Sequence, residues 1–355
     1  MYKFLSFLLG VILVIPVLGL IALALTLPIT VWGILYLAAC SLAVCGLIIA
    51  PWIPKYRFVL SLAGLIAIIL IAGTRLILAG QNTPARIKMI TLPQREGTRW
   101  LSTIIDEQDS LIFGEALFHR IGGVSSNEHE KITQALHRGY SEIRETQGIF
   151  PSPVVNTYLN IQGSSAFDAV IIEPEVKHHP EIGVVFLHGY MGNVTAQCWE
   201  IAQAVNRFGA ITVCPSTGWR GEWWRPQSQA ILQATFRYLR EQGIQRFYLG
   251  GFSNGGFGIS RLASQLENED DLIGLFFIDG IYDGASIRDT GLPVLIIQGA
   301  QDERMPVAEA RQIAEIIGES GTYVELAGDH FLIMKQPDLV QNVLTEWLED
   351  QQSGK

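Results

Sequence analysis

The chain has 355 residues and a formal net charge of −9 at pH 7, so it has room for two domains or for one domain and an anchor. This acidic balance argues against nucleic acid as a partner, because phosphate binding needs clustered Lys and Arg. Apolar residues make up 49% of the chain, a high share for a wholly soluble protein. The excess lies at the amino end, where residues 1–80 contain no Asp or Glu.

Three apolar stretches occupy this end of the chain, at about residues 4–26, 29–50 and 58–74. Each is close to the ~20 residues that a helix needs to cross a bilayer. A signal peptide is the alternative for the first stretch, but its apolar run is too long. Buried core helices are the alternative for the other two, although such helices rarely lack charge so completely. We expect residues 1–80 to be an anchor of three transmembrane helices in the lipid bilayer.

The side of the membrane is predicted from the cations beside these stretches. The positive-inside rule places Lys3 and the loop with Lys55 and Arg57 in the cytoplasm. Three crossings then leave the rest of the chain on the extracytoplasmic side, which is the side we expect. Four cations that follow the third stretch favour the opposite side: Arg75, Arg86, Lys88 and Arg95.

Residues 81–150 are predicted to be a linker followed by a helical collar or lid. Pro84, Pro93 and the polar residues near them are typical of a linker over residues 81–94. From residue 98 to residue 145 the apolar residues recur at helical spacing. This helical part could cover an active site, or it could join the anchor to the rest of the chain.

Residues 151–355 show strand-like and helix-like runs in alternation. This alternation predicts an α/β domain with a mainly parallel sheet and helices on both of its faces. Functional side chains in such a domain lie at the carboxyl ends of the strands.

Ser253 is the candidate nucleophile of this domain. Residues 251–255 read G-x-S-x-G, between a strand-like run at 246–249 and a helix-like run at 259–266. A sharp strand-to-helix turn of this type exposes the serine hydroxyl, and the glycines leave room for its strained backbone.

Asp302 and His330 are the candidate acid and base. Asp302 follows the apolar run 293–299, and His330 follows the strand-like run 323–326. His330 would take the proton from Ser253, and Asp302 would orient the imidazole ring. Asp279 and Asp283 are rivals for the role of the acid. We prefer Asp302 because residues 299–302 and 305–306 match the loop that is usual at this position.

The fourth part of the site is a turn that would bind an oxyanion. A buried strand at 183–187 ends in residues 188–192, which read H-G-x-x-G. Such a turn presents backbone N–H groups toward the nucleophile, and we expect the donors to be the amides of Tyr190 or Met191 and of Asn254. His188 is expected to support this turn rather than to act as a base.

These motifs together resemble the α/β-hydrolase superfamily, over residues 165–350. The H-G-x-x-G and G-x-S-x-G motifs look similar to those of the branch of dienelactone hydrolase and prolyl oligopeptidase. The resemblance implies an α/β-hydrolase fold and the cleavage of an ester, thioester, amide or peptide bond.

Residues 219–226 form a second candidate region, because they follow a strand and should lie near the rim of the pocket. Two interpretations are open: the segment lines the substrate site, or it is a packed loop that holds the helix beginning at Pro226. In the first interpretation an arginine could bind a carboxylate, and the tryptophans an acyl chain or a sugar. The candidate substrate-binding residues are Trp219, Arg220, Trp223, Trp224 and Arg225.

The four cysteines form no C-x-x-C pair, so the sequence predicts neither a zinc site nor a dithiol site. Cys40 and Cys45 lie in the second apolar stretch, and Cys198 and Cys214 lie in the α/β domain. We expect all four to be small, buried apolar residues.

The sequence as a whole predicts a membrane-anchored serine hydrolase that forms an acyl-enzyme on Ser253, with no metal or organic cofactor. Its substrate would be a small molecule, a lipid or a peptide. Acyl transfer to a lipid or sugar hydroxyl is an alternative that would use the same residues. A non-catalytic binding module is a second alternative, but the intact set of Ser253, Asp302 and His330 argues against it.

Overall fold

The computed structural model describes residues 2–49, 53–79, 86–94, 100–192, 194–266 and 269–353. Within it the chain divides into two compact units. The helical unit consists of Met1–Thr83 and Thr103–Tyr140, and the sheet unit consists of Pro84–Ser102 and Ser141–Lys355. The predicted middle region, residues 81–150, is therefore divided between the two units. Arg95, Asn193 and the polar linker residues 81–85 lie outside the described residues.

The helical unit begins with three apolar helices, α1 (Tyr2–Ala24), α2 (Val31–Ile49) and α3 (Pro54–Ala79). In the described part of the chain, α2 and residues Phe58–Ala79 of α3 are long and apolar enough to cross a membrane, with mean hydropathies of 2.2 and 2.4. Only 22% and 11% of these two segments is buried, unlike a core helix of a soluble protein. The apolar part of α1, Leu8–Ala24, is shorter.

Three further helices follow, and side-chain caps mark where two of them begin: α4 (Leu101–Ile104), α5 (Glu107–Arg120) and α6 (Ser126–Gln147). Asp106 accepts a hydrogen bond from the amide of Gln108 at 3.1 Å and so caps α5. Ser125 and Glu128 form a capping box at α6, in which each side chain accepts from the amide of the other residue, at 3.3 and 3.0 Å.

Polar contacts join residues 103–109 to the ends of the apolar helices. Asp109 accepts hydrogen bonds from the amide and the hydroxyl of Thr30, between α1 and α2, at 2.7 and 2.6 Å. Arg75, near the end of α3 and only 2% exposed, donates to the carbonyl of Thr103 at 3.0 Å and pairs with Asp106 at 3.3 Å. The turn after α1 and the end of α3 therefore lie at the same end of the helical unit.

The described residues of the sheet unit form an eight-stranded sheet in the order β1-β2-β4-β3-β5-β6-β7-β8. β2 is antiparallel to β1 and β4, and all other neighbouring strands are parallel, which confirms the predicted mainly parallel sheet. The strands are β1 (Ile87–Leu92), β2 (Phe167–Ile172), β3 (Ile182–Leu187), β4 (Ile211–Pro215), β5 (Arg246–Phe252), β6 (Leu272–Ile278), β7 (Val294–Gly299) and β8 (Gly321–Leu326).

The edge strand β1 lies in the segment that the sequence predicts to be a linker. It pairs with β2 along its whole length, from Ile87 opposite Ile172 to Leu92 opposite Phe167. Ile87, Met89 and Leu92 are buried. The linker prediction is wrong for these residues because their partner strand lies far along the chain, beyond α6, where local patterns do not reach.

The remaining helices of the sheet unit are α7 (Val154–Tyr158), α8 (Thr195–Phe208), α9 (Pro226–Glu241), α10 (Asn254–Leu266), α11 (Gly284–Asp289), α12 (Val307–Ile317), α13 (Leu332–Lys335) and α14 (Pro337–Ser353). They cover both faces of the sheet. Contacts of two successive residues of β5 show this, since successive residues of a strand point to opposite faces. On β5, the Phe247 ring stacks on Phe236 of α9 at 4.4 Å, whereas the next ring, Tyr248, contacts Trp347 of α14 at 5.4 Å.

A disulfide bond joins Cys198 of α8 to Cys214 of β4, with Cα atoms 6.1 Å apart. Both residues are fully buried, as expected, but the expectation that they act only as small apolar residues is wrong. The pairing depends on how α8 packs on the sheet, and residue spacing carries no sign of it. Cys40 and Cys45 of α2 are free thiols; Cys40 is half-buried and Cys45 is exposed, so the expectation that they are buried is wrong.

Candidate active site

Ser253 occupies the sharp turn between β5 and α10. Its φ of +52° lies in the left-handed region, which is strained for a residue other than glycine. Glycine beside it is required by space: a Cβ on Gly280 would lie 2.3 Å from the carbonyl oxygen of Ser253, and one on Gly256 would lie 1.9 Å from the carbonyl oxygen of Gly280. The predicted strand-to-helix turn is therefore present, and it is packed tightly on its inner side.

The structure brings Ser253, His330 and Asp302 together at the carboxyl ends of β5, β8 and β7. His330 Nε2 lies 3.0 Å from Ser253 Oγ, and His330 Nδ1 lies 2.8 Å from Asp302 Oδ2. An ionised carboxylate only accepts hydrogen bonds, so Nδ1 carries the proton and Nε2 is free to accept the proton of the serine hydroxyl. All three side chains are buried.

The Asp302 carboxylate is held by donors from its own loop. Its Oδ1 accepts from the backbone amides of Arg304 and Met305, at 2.8 and 2.9 Å. Its Oδ2 accepts from Gln298 Nε2 on β7, at 3.2 Å, in addition to the His330 ring. These fixed donors set the direction in which the Asp302 carboxylate faces His330.

Asp279, the rival acid at the end of β6, has different surroundings. Its Oδ1 accepts from the amide of Gly299 at 2.7 Å, and its buried Oδ2 has no hydrogen-bond partner among the described residues. Burial, reinforced by the charges of Asp302 and Asp329, raises the pKa of Asp279 to about 8. Asp279 is therefore neutral at pH 7, whereas Asp302 is the carboxylate bonded to His330.

Asp283, the second rival, caps α11. Its two oxygens accept from the amide and the hydroxyl of Ser286, at 3.2 and 2.7 Å. The hydrogen bonds from Ser286 lower the pKa of Asp283.

Among the described residues, no group of three or more His, Cys, Asp or Glu side chains is arranged to hold a metal ion.

The H-G-x-x-G turn follows β3, and His188 supports it from inside. The His188 ring donates from Nδ1 to the carbonyl of Gly189 at 2.8 Å and accepts at Nε2 from the amide of Thr217 at 3.2 Å. Burial lowers the pKa of His188 to about 4, so the ring is neutral at pH 7. This agrees with the expected supporting role.

The turn lies directly against the nucleophile. A Cβ on Gly189 would lie 3.0 Å from the Cβ of Ser253, and Met191 has a φ of +80°. Tyr190 is 43% exposed. On the other side, Asn254 is the first residue of α10, so its amide has no acceptor within the helix.

Trp223 is part of the core, not of the rim where the first interpretation of residues 219–226 puts it. It is fully buried, and its Nε1 donates to the carbonyl of His188 at 2.9 Å. Its ring meets the His188 ring edge-on at 5.2 Å. Trp224 contacts the ring of Phe257 on α10, with centroids 5.1 Å apart. The structure thus gives Trp223 the packing role of the second interpretation.

Trp219, Arg220 and Arg225 line a cleft of about 500 Å³, which we call the Arg220 cleft. Three of its other lining residues were not among the candidate substrate-binding residues: Tyr158, Asn160 and Glu222, of which only Glu222 lies within the candidate region 219–226. Tyr158 and Asn160 stand in no motif, and only the (i, i+3) spacing of Glu222 and Arg225 could have suggested their ion pair of 2.8 Å. The cleft adjoins the nucleophile turn, because Asn254 Nδ2 donates to the carbonyl of Arg220 at 2.8 Å.

Residues 226–332 match the family model described as the alpha/beta hydrolase family. This segment contains Ser253, Asp302 and His330 and the strands β5 to β8. The sheet unit has an α/β-hydrolase fold. The predicted fold class is thereby confirmed for this unit, whereas the predicted branch and the three transmembrane helices stay predictions.

Solved structures of several hydrolases resemble about half of the chain. A serine hydrolase homologue from Coxiella burnetii is 18% identical, with a TM-score of 0.42, over 52% of this chain and 92% of its own. A serine hydrolase without a lid from Xanthomonas campestris is 19% identical, with a TM-score of 0.43, over 52% and 89%. Est1E from Butyrivibrio proteoclasticus is 15% identical, with a TM-score of 0.43, over 53% and 95%. No curated protein sequence matches the chain significantly.

Proposed function

We propose that the protein is a membrane-anchored serine hydrolase that cleaves an ester, thioester or amide bond through an acyl-enzyme on Ser253. The observation that carries this proposal is the hydrogen-bonded series Asp302–His330–Ser253, with donor–acceptor distances of 2.8 and 3.0 Å. A serine hydroxyl is a weak nucleophile at neutral pH, and a neutral imidazole at this distance is the base that activates it.

In the proposed reaction, Ser253 Oγ attacks the carbonyl carbon while His330 Nε2 takes its proton. Asp302 stabilises the imidazolium that forms. The amides of Asn254 and of Tyr190 or Met191 donate to the developing oxyanion; losing one such donor costs roughly 10²–10³ in rate. His330 then protonates the leaving group. Water attacks the acyl-enzyme in the second half-reaction, and a lipid or sugar hydroxyl in its place would give acyl transfer.

The proposed anchor consists of α1, α2 and α3 as three membrane crossings. Three crossings need the turn after α1 and the end of α3 to be on one side, and both of these ends contact residues 103–109. We propose residues 103–140 as a collar on that side of the membrane. The outward apolar side chains of these helices support contact with lipid, for example Ile15 at 70% exposed and Ile69 at 61%.

We place the hydrolase on the extracytoplasmic side. The disulfide between Cys198 and Cys214 supports this placement, because such bonds persist in oxidising compartments and are rare in the cytosol. The cations at Lys3, Lys55 and Arg57 support it as well, through the positive-inside rule.

The proposal is tested by labelling the full chain in detergent with a fluorophosphonate probe. We expect the native protein and Ser264→Ala to be labelled and Ser253→Ala to be unlabelled. Ser264 is the matched control, since it is an exposed serine on α10. Labelling that persists in Ser253→Ala would assign the activity to another residue. A well-folded native protein that is never labelled would favour a binding module.

A further inference from the structure

The Arg220 cleft is polar. Most of the described residues that line it are polar or charged, and none of them is Leu, Ile, Val or Met. A long acyl chain is bound through apolar side chains, and the large apolar groups in this lining are the rings of Tyr158 and Trp219. The lining therefore favours a hydrophilic group over a long acyl chain.

The two arginines of the cleft differ in their charge partners. Arg225 pairs with Glu222 at 2.8 Å, and the hydrogen bond from Arg225 lowers the pKa of Glu222. For Arg220, the described residues place no carboxylate oxygen within ion-pair distance, and its guanidinium carbon lies 5.3 Å from the centre of the Trp219 ring. A cation held over an aromatic face keeps its N–H donors available. Arg220 is thus the cation of the cleft that can take an external anion.

The position of Arg220 is fixed relative to the nucleophile turn. Its carbonyl accepts from Asn254 Nδ2 at 2.8 Å, and Asn254 directly follows Ser253. The next residue, Gly221, packs so closely that a Cβ on it would lie 2.6 Å from the carbonyl oxygen of Gly189. Trp219 is braced by Tyr190, whose ring meets it edge-on at 5.1 Å. Arg220 would therefore bind a substrate charge at a fixed distance from the reacting carbonyl.

We propose that the Arg220 cleft binds the non-reacting part of the substrate and that Arg220 recognises a carboxylate on it; this rests on the proposed hydrolase function. The favoured substrates are short, water-soluble carboxylate esters rather than neutral long-chain lipid esters. A carboxylate is the matching anion because one planar guanidinium forms a bidentate pair with it and balances its single charge. A phosphate monoester carries about −1.5 to −2 charges at pH 7 and exceeds that balance.

The test compares esters that differ only in this charge. Monobenzyl succinate and benzyl methyl succinate place it on the acyl side, and p-carboxybenzyl butyrate and its methyl ester place it on the alcohol side. For one of the two pairs we expect the charged ester to have a kcat/KM about tenfold higher, the effect of one charge-assisted pair in a partly open cleft. Arg220→Gln should remove this preference, so that the kcat/KM of the charged ester falls to about that of its methyl ester.

Two variants control for net charge and for its sign. Arg237→Gln removes another exposed arginine, which lies on α9 and for which the described residues offer no ion pair, and this variant should keep the preference. Glu222→Gln removes the competing carboxylate from the cleft and should increase the preference. If neither ester pair shows a preference, or if the preference survives Arg220→Gln, the inference is overturned.

A binding measurement separates this inference from the hydrolase proposal. Ser253→Ala protein is titrated with the same four esters by calorimetry, with and without Arg220→Gln. Tighter binding of a charged ester that depends on Arg220 would support the inference even if no ester were hydrolysed. Equal binding of charged and methylated esters would overturn it, although fluorophosphonate labelling at Ser253 could still support the hydrolase.

Discussion

Asp279 accepts a hydrogen bond from the backbone amide of Gly299, with 2.7 Å between Oδ1 and the amide nitrogen. This bond joins the carboxyl ends of β6 and β7, just before the loop that carries Asp302. The other oxygen of Asp279 is buried and has no partner in the described part of the chain. Two carboxyl groups on adjacent strands thus have different roles: Asp302 is bonded to the histidine, and Asp279 joins strands in its neutral form.

We expect Asp279→Asn to change how stability depends on pH. The pKa of Asp279 is raised from its usual value near 4 to about 8, so between these values the folded state holds a proton that the unfolded state lacks. The free energy of unfolding therefore falls as pH rises through this window, by at most about 6 kcal/mol at about 1.4 kcal/mol per pKa unit. Asn stays neutral and removes this dependence.

The measurement is the melting temperature of the full chain in detergent at pH 5 and pH 8. The melting temperature of Asp279→Asn minus that of the native protein should be larger at pH 8 than at pH 5. Parallel pH profiles of the two proteins would show that Asp279 does not hold the proton.

A second prediction concerns which carboxyl serves the histidine. Asp302→Asn should lower kcat by roughly 10⁴, because the amide no longer fixes the tautomer of His330 or stabilises its cation. Asp279→Asn should change kcat by less than about tenfold, since an amide can keep the bond to Gly299. Both are measured on a short ester, with circular dichroism to check folding. An equal loss in the two variants would contradict the assignment of Asp302 as the acid.

A third prediction separates the packing tryptophan from the cleft tryptophan. Trp223→Phe keeps the buried ring but removes the hydrogen bond to the carbonyl of His188, at a cost of about 1–2 kcal/mol. The melting temperature should fall by about 2–4 °C per kcal/mol while KM stays the same. Trp219→Ala should raise KM and leave the melting temperature nearly unchanged. A raised KM in Trp223→Phe with unchanged melting would place Trp223 in the substrate site.

A fourth prediction concerns the disulfide. The double variant Cys198→Ala with Cys214→Ala should lose about 3 kcal/mol of stability, the value expected for a loop of about 15 residues. Reducing agent should lower the melting temperature of the native protein toward that of the variant. Mass spectrometry after alkylation without reductant should find Cys40 and Cys45 modified and the other two protected. Free thiols at Cys198 and Cys214 would remove the support for an oxidising compartment.

The parts of the site that the sequence predicted are those set by local patterns. The turn at Ser253 is specified by glycines within a few residues and by a strand and a helix on either side. Asp302 and His330 each follow a strand-like run, and a parallel sheet brings the carboxyl ends of its strands to one edge. Three residues far apart in the chain could therefore be assigned to one site from their local patterns and the rules of sheet topology.

The parts that the sequence did not predict depend on partners far along the chain. β1 is a strand only because β2 pairs with it, and Cys198 meets Cys214 only because α8 packs beside β4. Trp223 lies in a segment that the sequence places near the rim, yet the small Gly258 on α10 leaves space for its side chain in the core. The ion pair between Arg225 and Glu222 likewise depends on the conformation of the loop, which the sequence does not show.

The sheet unit is discontinuous in the chain, because residues 103–140, which belong to the helical unit, interrupt it. A protease that cuts between residues 83 and 84 separates the three apolar helices from the rest of the chain, but residues 103–140 stay bound to those helices through Asp109 and Asp106. A cut between residues 140 and 141 leaves β1 paired in the sheet and still connected to the helices. Release of the sheet unit into solution therefore requires more than one cleavage, and a fragment expressed without the helical unit has to keep residues 84–102.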